Sequence, residues 1–425
     1  MSDEIREENR KLKRAIAELR ILNEVSVAIS SAVGVDAVTD LIVKKCVEHA
    51  GAEQGAIWLL DPIDKTAPPK TFLRVMDSDV NTIPFKVGAS VMGWVIKNRI
   101  PLIVNDVVGD KRFVDLAGEY SDLRCLIAVP LRLKDTLIGV ICLLNKTGSQ
   151  EFSNDDARLL TIVASQSAQT IENARLYDDE RRLQSLEDDL RTARLIQYSL
   201  LPRENPRADH FDIAGLYEPA QLIGGDYFDF IPIDKNHLGI AVADVSGKGT
   251  SAALLMASLQ SCLRGQAILN RSPRETINNL NFMLSRFLDS RRHITLIYGV
   301  LDVRRRIFTY VRAGHCVPIF VGSDRIVELE EGGIVLGIFP DYKYTETEVS
   351  IRAGESLLLY TDGITEAANA SEEQYGESRL LDLVKTNRSL SAAELVRLIK
   401  DSVVRFQDDV PQSDDITLVA VRNPV

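Results

Sequence analysis

Several acidic residues in the C-terminal half of the chain stand at the ends of predicted strands. Each follows or opens an apolar or alternating run, and glycines that permit tight turns stand beside most of them. Strand ends of this kind can converge on one rim of a sheet structure, which would bring the carboxylates together. These residues are Asp226, Asp244, Asp362 and Asp414, with Asp415 next in the sequence.

The mutual repulsion of such a cluster decides which chemistry it can perform. Two carboxylates about 4 Å apart repel each other by about 4 kcal/mol at the effective dielectric constant of a protein. The cluster must therefore either bind cations or keep some of its acids protonated. Carboxylate oxygens suit hard divalent ions rather than metals that prefer histidine or thiolate. Taken one at a time, however, each aspartate beside a glycine is explained by turn formation alone.

The hydrophobic pattern predicts the strands and the helix that must position these acids. Leu238 to Ala243 is an apolar run that ends at Asp244, and a glycine-rich turn then leads into a helix from Ser251 to Leu269. Two further apolar runs, Ser356 to Tyr360 and Ile416 to Val421, are predicted strands next to the other acids.

Six short motifs occur in order along this half of the chain. They are Ala193-Arg194 with Ile196-Gln197 and Leu200-Leu201-Pro202, Gly224-Gly225-Asp226-Tyr227, Ala243 to Gly249, Ala313-Gly314-His315, Tyr360 to Ala367, and Asp414-Asp415-Ile416-Thr417. Together they resemble the bacterial PPM-type (SpoIIE/RsbU-like) metal-dependent serine/threonine phosphatases over about residues 190–423. The resemblance implies an α-β-β-α sandwich, in which two antiparallel sheets lie between helical layers.

The same resemblance implies a role for each acid. Asp226 and Asp244 would hold two divalent ions, Mn²⁺ or Mg²⁺, with Asp244 as the bridging carboxylate and the carbonyl oxygen of Val245 as a backbone ligand. Asp362 and Asp414 would complete the ligand shell of the second ion. A water activated by the ions would then attack the phosphorus of a phosphoserine or phosphothreonine in line.

Three further positions keep alternative roles. Asp415 would either add a metal ligand or orient its neighbour. Lys248 stands where many relatives carry His, and it would either steer the substrate phosphate or remain a solvated loop lysine. His315 is a candidate for protonating the leaving serine oxygen, although a histidine after Ala-Gly at a strand end also serves to hydrogen-bond a loop.

The region from residue 21 to residue 171 is predicted to be an α+β domain, with helices flanking a small antiparallel sheet. Asp61 to Thr71, which contains three prolines, is predicted to be a surface loop. The predicted helices are Asp36–Ala50, Val91–Lys97 and Asp155–Ile171, and the predicted strands are Gly55–Leu60, Cys125–Leu131 and Leu137–Asn145, the last two joined at Lys134-Asp135.

This region resembles a GAF domain, a module that senses small molecules or signals. The motifs that carry the resemblance are Val38 to Leu41, Val91 to Val95, Pro130-Leu131 with Leu137 to Val140, and Phe152 to Asp156. Asn145-Lys146 with Phe152 and Asp156 partly matches a motif of the cyclic-nucleotide-binding members. Ala157 stands where that motif has an acid, and the Asn-Lys pair also fits a strand end, so the ligand of the domain stays unknown.

Two charged segments carry heptad-like apolar seams, which predict either dimeric coiled coils or surface helices that pack on their own domains. The second segment runs from about Ile171 to Leu201 and stops at Pro202, which cannot continue a helix. The predicted organisation is a helix at 1–20, a GAF domain at 21–171, a coiled-coil linker at 172–202 and a phosphatase domain at 205–425. The seams are Ile5, Leu12, Ala15, Leu19, Leu22 and Ile29, and Leu176, Leu183, Leu186, Leu190, Ala193 and Leu200, the second interrupted by Asp179 and Gln197.

The amino-acid composition and the charge of the chain argue against several classes of protein. The 425 residues carry a net charge of −11, which argues against nucleic acid as a partner. The N-terminal segment has no apolar core of a signal peptide, and the apolar runs are too short to span a membrane. We therefore expect a soluble cytoplasmic protein. Neither a disulfide framework nor a zinc site is predicted, because the five cysteines are scattered: Cys46, Cys125, Cys142, Cys262 and Cys316.

The leading hypothesis is a protein phosphatase controlled by its sensor domain and dimerised through the coiled-coil helices. The resemblance implies a phosphorylated anti-sigma factor antagonist, a STAS-domain protein in a partner-switching pathway, as its substrate. Two alternatives remain at this point. One is a catalytically inactive sensor or scaffold, and the other is a GAF-gated hydrolase that acts on a nucleotide.

Overall fold

The computed structural model describes residues 34–60, 70–75, 88–113, 122–286, 288, 292–322 and 325–425. The predicted N-terminal helix at 1–20 and the first heptad seam lie outside these described residues. The chain divides into two compact units between Ser185 and Leu186, inside the predicted linker 172–202.

The N-terminal unit is built on an antiparallel five-stranded sheet with the order β2-β1-β5-β4-β3. Most of its predicted helices and strands are present within a few residues of the expected bounds. The elements are α1 (Val35–Ala50), β1 (Ala52–Leu59), β2 (Lys70–Val75), α2 (Gly88–Asn98), β3 (Leu102–Val104), β4 (Leu126–Leu133), β5 (Thr136–Lys146) and the first part of α3 (Asn154–Leu200).

Both faces of this sheet are covered, because successive side chains of a strand point to opposite sides. Ile57 lies in one buried cluster with Ile42 of α1 and Ala164 of α3. Its neighbour Trp58 lies in a second cluster with Val91 of α2. The sheet therefore separates two small cores, as expected for the predicted α+β domain.

The predicted loop at Asp61–Thr71 needs a correction at its end. Residues 61–69 lie outside the described part of the chain, but Lys70 and Thr71 belong to β2 and pair with Leu59 and Trp58 of β1. Hydrogen bonding to a neighbouring strand thus outweighs the loop signal at these two residues.

Helix α3 joins the predicted exit helix of the sensor region and the second seam into one element of 47 residues. It contains no glycine or proline and ends at Leu200, just before Pro202. Three leucines of the predicted seam, Leu176, Leu183 and Leu186, are more than half exposed. The helix is confirmed, whereas the coiled coil stays a prediction.

The C-terminal unit contains two antiparallel five-stranded sheets, with the orders β13-β10-β9-β8-β7 and β12-β11-β14-β15-β6. The predicted strands on either side of the acids are present. The strands are β6 (Asp212–Glu218), β7 (Tyr227–Pro232), β8 (His237–Val245), β9 (Ile294–Asp302), β10 (Ile307–Ala313), β11 (Ile319–Val321), β12 (Ile326–Glu328), β13 (Thr347–Ser350), β14 (Ser356–Tyr360) and β15 (Ile416–Arg422).

Alternation along β15 shows how the sheets stack. Val419 lies in the large core cluster that also contains Ile240 of β8, on the other sheet. Leu418 faces the opposite way and packs with Ile399 in a separate cluster. Four helices form the outer layers: α4 (Thr250–Leu269) and α5 (Pro273–Leu284) on the sheet of β8, and α6 (Gly376–Thr386) and α7 (Ala392–Gln407) on the sheet of β15. The predicted α-β-β-α sandwich is confirmed.

Among the described residues, α4 alone is long and apolar enough to pass for a membrane-spanning helix. Its apolar side chains have another use in this fold. Met256, Leu259 and Leu263 are fully buried in the core cluster beneath the sheet of β8. The apolar character of α4 is therefore explained by its place as a core helix.

Candidate active site

The predicted acids meet because four strand ends lie at one rim of the sandwich. Asp226 immediately precedes β7, and Asp244 is the penultimate residue of the neighbouring antiparallel strand β8. On the other sheet, Asp362 follows β14 by two residues, and Asp414 precedes the antiparallel strand β15 by two. Residues far apart in the sequence are thus brought to the same edge.

Asp226 is buried and held by two threonines. Its Oδ2 accepts hydrogen bonds from Thr361 Oγ1 at 2.7 Å and from Thr417 Oγ1 at 2.6 Å. The Thr361 hydroxyl in turn accepts the backbone N–H of Thr417 at 3.1 Å. The orientation of the Asp226 carboxylate is therefore fixed by residues of the opposite sheet. Both threonines stand in the sequence motifs, but reasoning from sequence gave them no role.

Asp415 holds the loop before β7. Its Oδ2 accepts the N–H of Gly225 at 2.7 Å and of Asp226 at 3.2 Å, and its Oδ1 accepts the N–H of Ala220 at 2.8 Å. Both carboxylate oxygens are thus engaged with backbone donors. Of the two roles left open for Asp415, this geometry favours orientation. The residues that it orients are Gly225 and Asp226 rather than its neighbour Asp414.

Glycines surround Asp415 because no side chain fits there. A Cβ added at Gly224 would lie 1.9 Å from Asp415 Oδ2, and one at Gly363 would lie 2.0 Å from the Asp415 carbonyl oxygen. A Cβ at Gly225 would approach the carbonyl oxygen of Val245 to 2.7 Å. The Gly-Gly-Asp and Asp-Gly motifs are therefore required by close packing, and the Val245 carbonyl lies against the same loop.

The acids at this rim perturb one another. Burial, followed by the negative charges of Asp362, Asp414 and Asp415, raises the pKa of Asp244 to about 7. Burial and the neighbouring Asp244 and Asp415 raise the pKa of Asp226 well above its usual range, although the two threonine hydroxyls oppose this shift. Burial and nearby carboxylates that include Asp414 also raise the pKa of Asp362. The carboxylates are close enough to repel each other.

The chemistry of the donor set, rather than the spacing of its side chains, fits a pair of hard divalent ions. As the side chains are placed, no group of three or more Asp, Glu, His or Cys residues in the described ranges could hold a metal ion. The converging ligands are carboxylate oxygens and a backbone carbonyl, which are the donors that Mg²⁺ and Mn²⁺ prefer. Bound cations would also relieve the repulsion that raises these pKa values. A narrow cleft lined by Asp244, Asp414 and Gly247 to Gly249 leads to this rim.

Lys248 lies beside the acids rather than free in solvent. Its Nζ donates to the carbonyl oxygen of Ser413 at 2.7 Å and lies 3.7 Å from Asp414 Oδ2. The side chain remains about half exposed. Its positive charge is therefore placed at the mouth of the cleft and tied to the loop that opens β15, unlike the charge of a fully solvated loop lysine.

His315 is buried and bonded within the fold. Its Nδ1 lies 2.8 Å from Thr295 Oγ1. Burial, together with the charge of Arg312, lowers the pKa of His315 to about 3. The imidazole is therefore neutral near pH 7 and carries no proton ready for a leaving group. The geometry favours the loop-holding role over the general-acid role.

Sequence comparison identifies relatives of both halves. Residues 234–424 match the profile of stage II sporulation protein E (SpoIIE), and residues 32–172 match that of the GAF domain. The chain is 32% identical over 257 residues to the phosphoserine phosphatase RsbU of Bacillus subtilis, covering 59% of this chain and 75% of RsbU. It is 29% identical over 266 residues to protein IcfG of Synechocystis sp., covering 55% of this chain but only 41% of IcfG.

Among solved structures, the SiaA-PP2C domain of Pseudomonas aeruginosa is similar to the C-terminal unit. The alignment has a TM-score of 0.50 and 22% sequence identity, and it covers 57% of this chain and 98% of that structure. At this level of identity the likeness concerns the fold alone. It agrees with the sandwich of two sheets and four covering helices.

Proposed function

Because the chain belongs to the SpoIIE family of metal-dependent serine/threonine phosphatases and carries an N-terminal GAF domain, we propose that it hydrolyses a phosphoserine or phosphothreonine on a protein substrate. One observation carries the proposal. Asp226, Asp244 and Asp362 are gathered at one rim of the phosphatase fold, where burial and mutual repulsion raise their pKa values. A cluster of this kind is costly for stability unless cations bind to it.

The proposed cofactors are two divalent ions, Mn²⁺ or Mg²⁺. Asp226, Asp244 and the carbonyl oxygen of Val245 would hold them, and Asp362 and Asp414 would complete the second ligand shell. When bound, the ions would supply an activated water and neutralise negative charge on the phosphoryl group.

The surrounding residues prepare this site in the absence of substrate. Thr361 and Thr417 fix the direction of the Asp226 carboxylate, so that little reorganisation is needed when ions bind. Asp415 fixes the backbone that carries Asp226. Lys248 places a positive charge at the mouth of an otherwise acidic cleft, which favours the approach of a phosphate dianion.

The proposed substrate is a phosphorylated anti-sigma factor antagonist of the STAS type, in a partner-switching pathway. Support comes from the relative RsbU, which is named as a phosphoserine phosphatase and of which the alignment covers 75%.

The test is an assay of the full-length chain with Mn²⁺ on a phosphoserine STAS protein. Wild type should release phosphate, and a chelator should stop the release. Asp362→Asn should lower kcat/KM about a hundredfold or more, since several kcal/mol of charge stabilisation are lost. Asp401→Asn, an exposed position on α7, is the matched control and should retain full activity.

Other outcomes separate the alternatives. Binding of Mn²⁺ without hydrolysis of any phosphoprotein would indicate an inactive sensor or scaffold. Faster hydrolysis of a cyclic nucleotide than of the phosphoprotein would indicate a nucleotide hydrolase. A small aryl phosphate serves as a substrate that needs no protein recognition.

Regulation is proposed to pass through α3, and the protein is proposed to be a homodimer. The exposed Leu176, Leu183 and Leu186 form an apolar stripe on an otherwise charged helix, which suits pairing with the same helix of a second chain. A signal in the GAF domain would change the crossing or register of the paired helices. Such a change would reach the phosphatase unit because the helix is continuous to Leu200.

Insertions after Asp188 test this linker proposal. Two added residues rotate the downstream helix by about 200°, whereas seven added residues nearly restore the register. Phosphatase activity or its dependence on signal should change in the two-residue variant and stay close to wild type in the seven-residue variant. Equal behaviour of the two variants would exclude a role for helix register.

A further inference from the structure

The last turns of α3 contain a buried polar residue. From Glu172 to Leu200, a range that the structure describes throughout, Gln197 is the only buried side chain. Its neighbours Ile196 and Tyr198 remain exposed. In the heptad pattern, Gln197 stands as a polar interruption of an apolar seam. A buried carboxamide in such a place requires hydrogen-bonding partners.

Both ends of the Gln197 carboxamide bind the backbone of one residue. Its Nε2 donates to the carbonyl oxygen of Gly224 at 2.7 Å, and its Oε1 accepts the N–H of Gly224 at 3.2 Å. Gly224 is two residues before Asp226, the buried acid of the proposed metal centre. The linker helix therefore makes a direct, two-point contact with the loop that carries this acid.

The loop is held from two sides. The N–H of Gly224 is bound by Gln197, and the next two N–H groups, of Gly225 and Asp226, are bound by Asp415. Gly224 also lies tightly against the Asp415 carboxylate, where a Cβ would come within 1.9 Å. Two side chains thus fix three consecutive peptide groups, and one of the two belongs to the linker helix.

We propose that Gln197 is a positioning residue for the metal centre: its carboxamide holds Gly224, so that the orientation of the end of α3 determines where Asp226 lies. A rotation of the helix by one residue, about 100°, would remove both hydrogen bonds and release the loop. The inference rests on the proposed metal-dependent function, and it names the contact through which the linker acts on that site.

Gln197→Met in the full-length chain tests the proposal. Methionine has a similar length and suits a buried position, but it cannot bind both the N–H and the carbonyl of Gly224. Gln184→Met is the matched control, because Gln184 is exposed on the same helix. The primary measurement is the affinity for Mn²⁺ by titration calorimetry, which needs no phosphatase activity.

We expect Gln197→Met to weaken Mn²⁺ binding by about 10–100-fold, as is typical when a residue that orients a metal ligand is lost. Excess Mn²⁺ should restore kcat, because the acids themselves are intact. Faster hydrogen exchange at the Gly224 and Gly225 amides should accompany the loss of affinity. Gln184→Met should match wild type in all three measurements.

A purely structural role for Gln197 would give a different result. The unfolding temperature of Gln197→Met would fall, while Mn²⁺ affinity and amide protection at Gly224 and Gly225 stayed at wild-type values, and this would overturn the proposal. If Gln197→Met does not fold, Gln197→Asn decides in its place, since it keeps the carboxamide but is too short to reach Gly224 in the same geometry. It should also weaken Mn²⁺ binding.

Failure of the proposed phosphatase function would give results different from failure of the positioning role of Gln197. A wild-type chain that binds Mn²⁺ but cleaves no phosphoprotein would refute the enzymatic proposal and leave the affinity comparison intact. A wild-type chain that binds no Mn²⁺ would refute the metal centre and this positioning role together, whatever the amide exchange showed.

Discussion

Polar residues gather at strand ends in both units of the chain, but the two clusters satisfy their polar groups differently. The N-terminal unit, which carries the GAF domain, is called the sensor unit here, and the C-terminal unit is called the phosphatase unit. In the sensor unit, Asn145 at the end of β5 accepts the N–H of Arg124 at 2.8 Å and donates to the carbonyl oxygen of Asp122 at 2.8 Å. Lys146 follows it and forms an ion pair with Asp156 at 2.5 Å. Each of these groups finds its partner within the unit.

The carboxylates of the phosphatase unit show the opposite behaviour. Burial and neighbouring negative charges raise the pKa of Asp244. In the sensor unit, burial also acts to raise the pKa of Asp156, but Lys146 and Ser153 outweigh it and hold that pKa below its usual range. The direction of the pKa shift therefore distinguishes the two clusters. A lowered carboxyl pKa indicates a cluster whose charges are balanced by its own residues, whereas raised carboxyl pKa values indicate a cluster that is suited to binding a cation.

This difference also bears on the partial cyclic-nucleotide motif of the sensor region. Lys146 and Asp156 are bonded to each other, and the Lys146 ammonium lies 5.7 Å from the centre of the Phe152 ring. The motif residues thus meet one another in a closed cluster. This arrangement favours the explanation that Asn145-Lys146 serves the strand end.

The largest expected effect is on catalysis, and it follows from Asp226→Asn. Losing one negative ligand should reduce phosphatase activity about a hundredfold or more. The stability of the metal-free protein should not fall, because the substitution removes one of several repelling charges. Steady-state kinetics and chemical denaturation in chelator check the two parts. A large loss of metal-free stability would show that Asp226 is a structural residue like Asn145.

The second prediction concerns pH in the metal-free protein. The folded-state pKa of Asp244, about 7, lies above that of the unfolded chain, so its stabilising contribution at low pH is lost as the pH rises through about 7. The pKa of Asp156 is lowered, so its contribution is present at neutral pH and is lost as the pH falls below the usual range of aspartate. The two units should therefore respond to pH in opposite directions.

The positions of the tryptophans make this measurable. Both of them, Trp58 and Trp94, belong to the N-terminal unit, so their fluorescence follows that unit alone, whereas circular dichroism follows both. In chelator, the phosphatase unit should be less stable at pH 8 than at pH 5, whereas the tryptophan transition should be the same at these two pH values and should weaken only toward pH 3. Mn²⁺ at pH 8 should restore the phosphatase transition. Equal changes of both transitions between pH 5 and pH 8 would show that the two clusters do not differ in their response to pH.

The smallest effect is expected from Asn145→Ala in the sensor unit. The change removes the hydrogen bonds that the buried Asn145 side chain makes to the N–H of Arg124 and the carbonyl oxygen of Asp122, which should lower the free energy of unfolding by about 1–3 kcal/mol. Tryptophan fluorescence during denaturation measures this loss. Asn173→Ala, at an exposed position on α3, is the control and should change little. An unchanged stability of Asn145→Ala would show that these hydrogen bonds do not stabilise the N-terminal unit.

The acids were predictable because their signals are local. Asp244 and Asp362 each end an apolar run beside a glycine-containing turn, and such patterns need only a few residues to be recognised. The same holds for the helices with clear periodicity, such as α4, which was predicted to within one residue at its start. Ser391, the N-cap of α7, forms a capping box with Glu394, a local signal that was not used to predict this helix.

The residues that hold the acids were not predictable in the same way. Thr361 and Thr417 converge on Asp226 only because β14 and β15 pair in one particular register, which local sequence does not specify. From the sequence alone, Gln197 is only a polar interruption of an apolar seam, and its role follows from its hydrogen bond to Gly224 in the folded chain. These roles depend on tertiary pairing between distant segments.

The uninterrupted helix α3 has a consequence for how such proteins diversify. Its 47 residues form one continuous helix that contains no glycine or proline. If regulation depends on helix register, as proposed, a foreign sensory module joined to this helix would keep that register only when the junction length changes by close to whole heptads. Among gene fusions that exchange the N-terminal module, only those whose junction length preserves the helix register would then keep a phosphatase activity that depends on the signal.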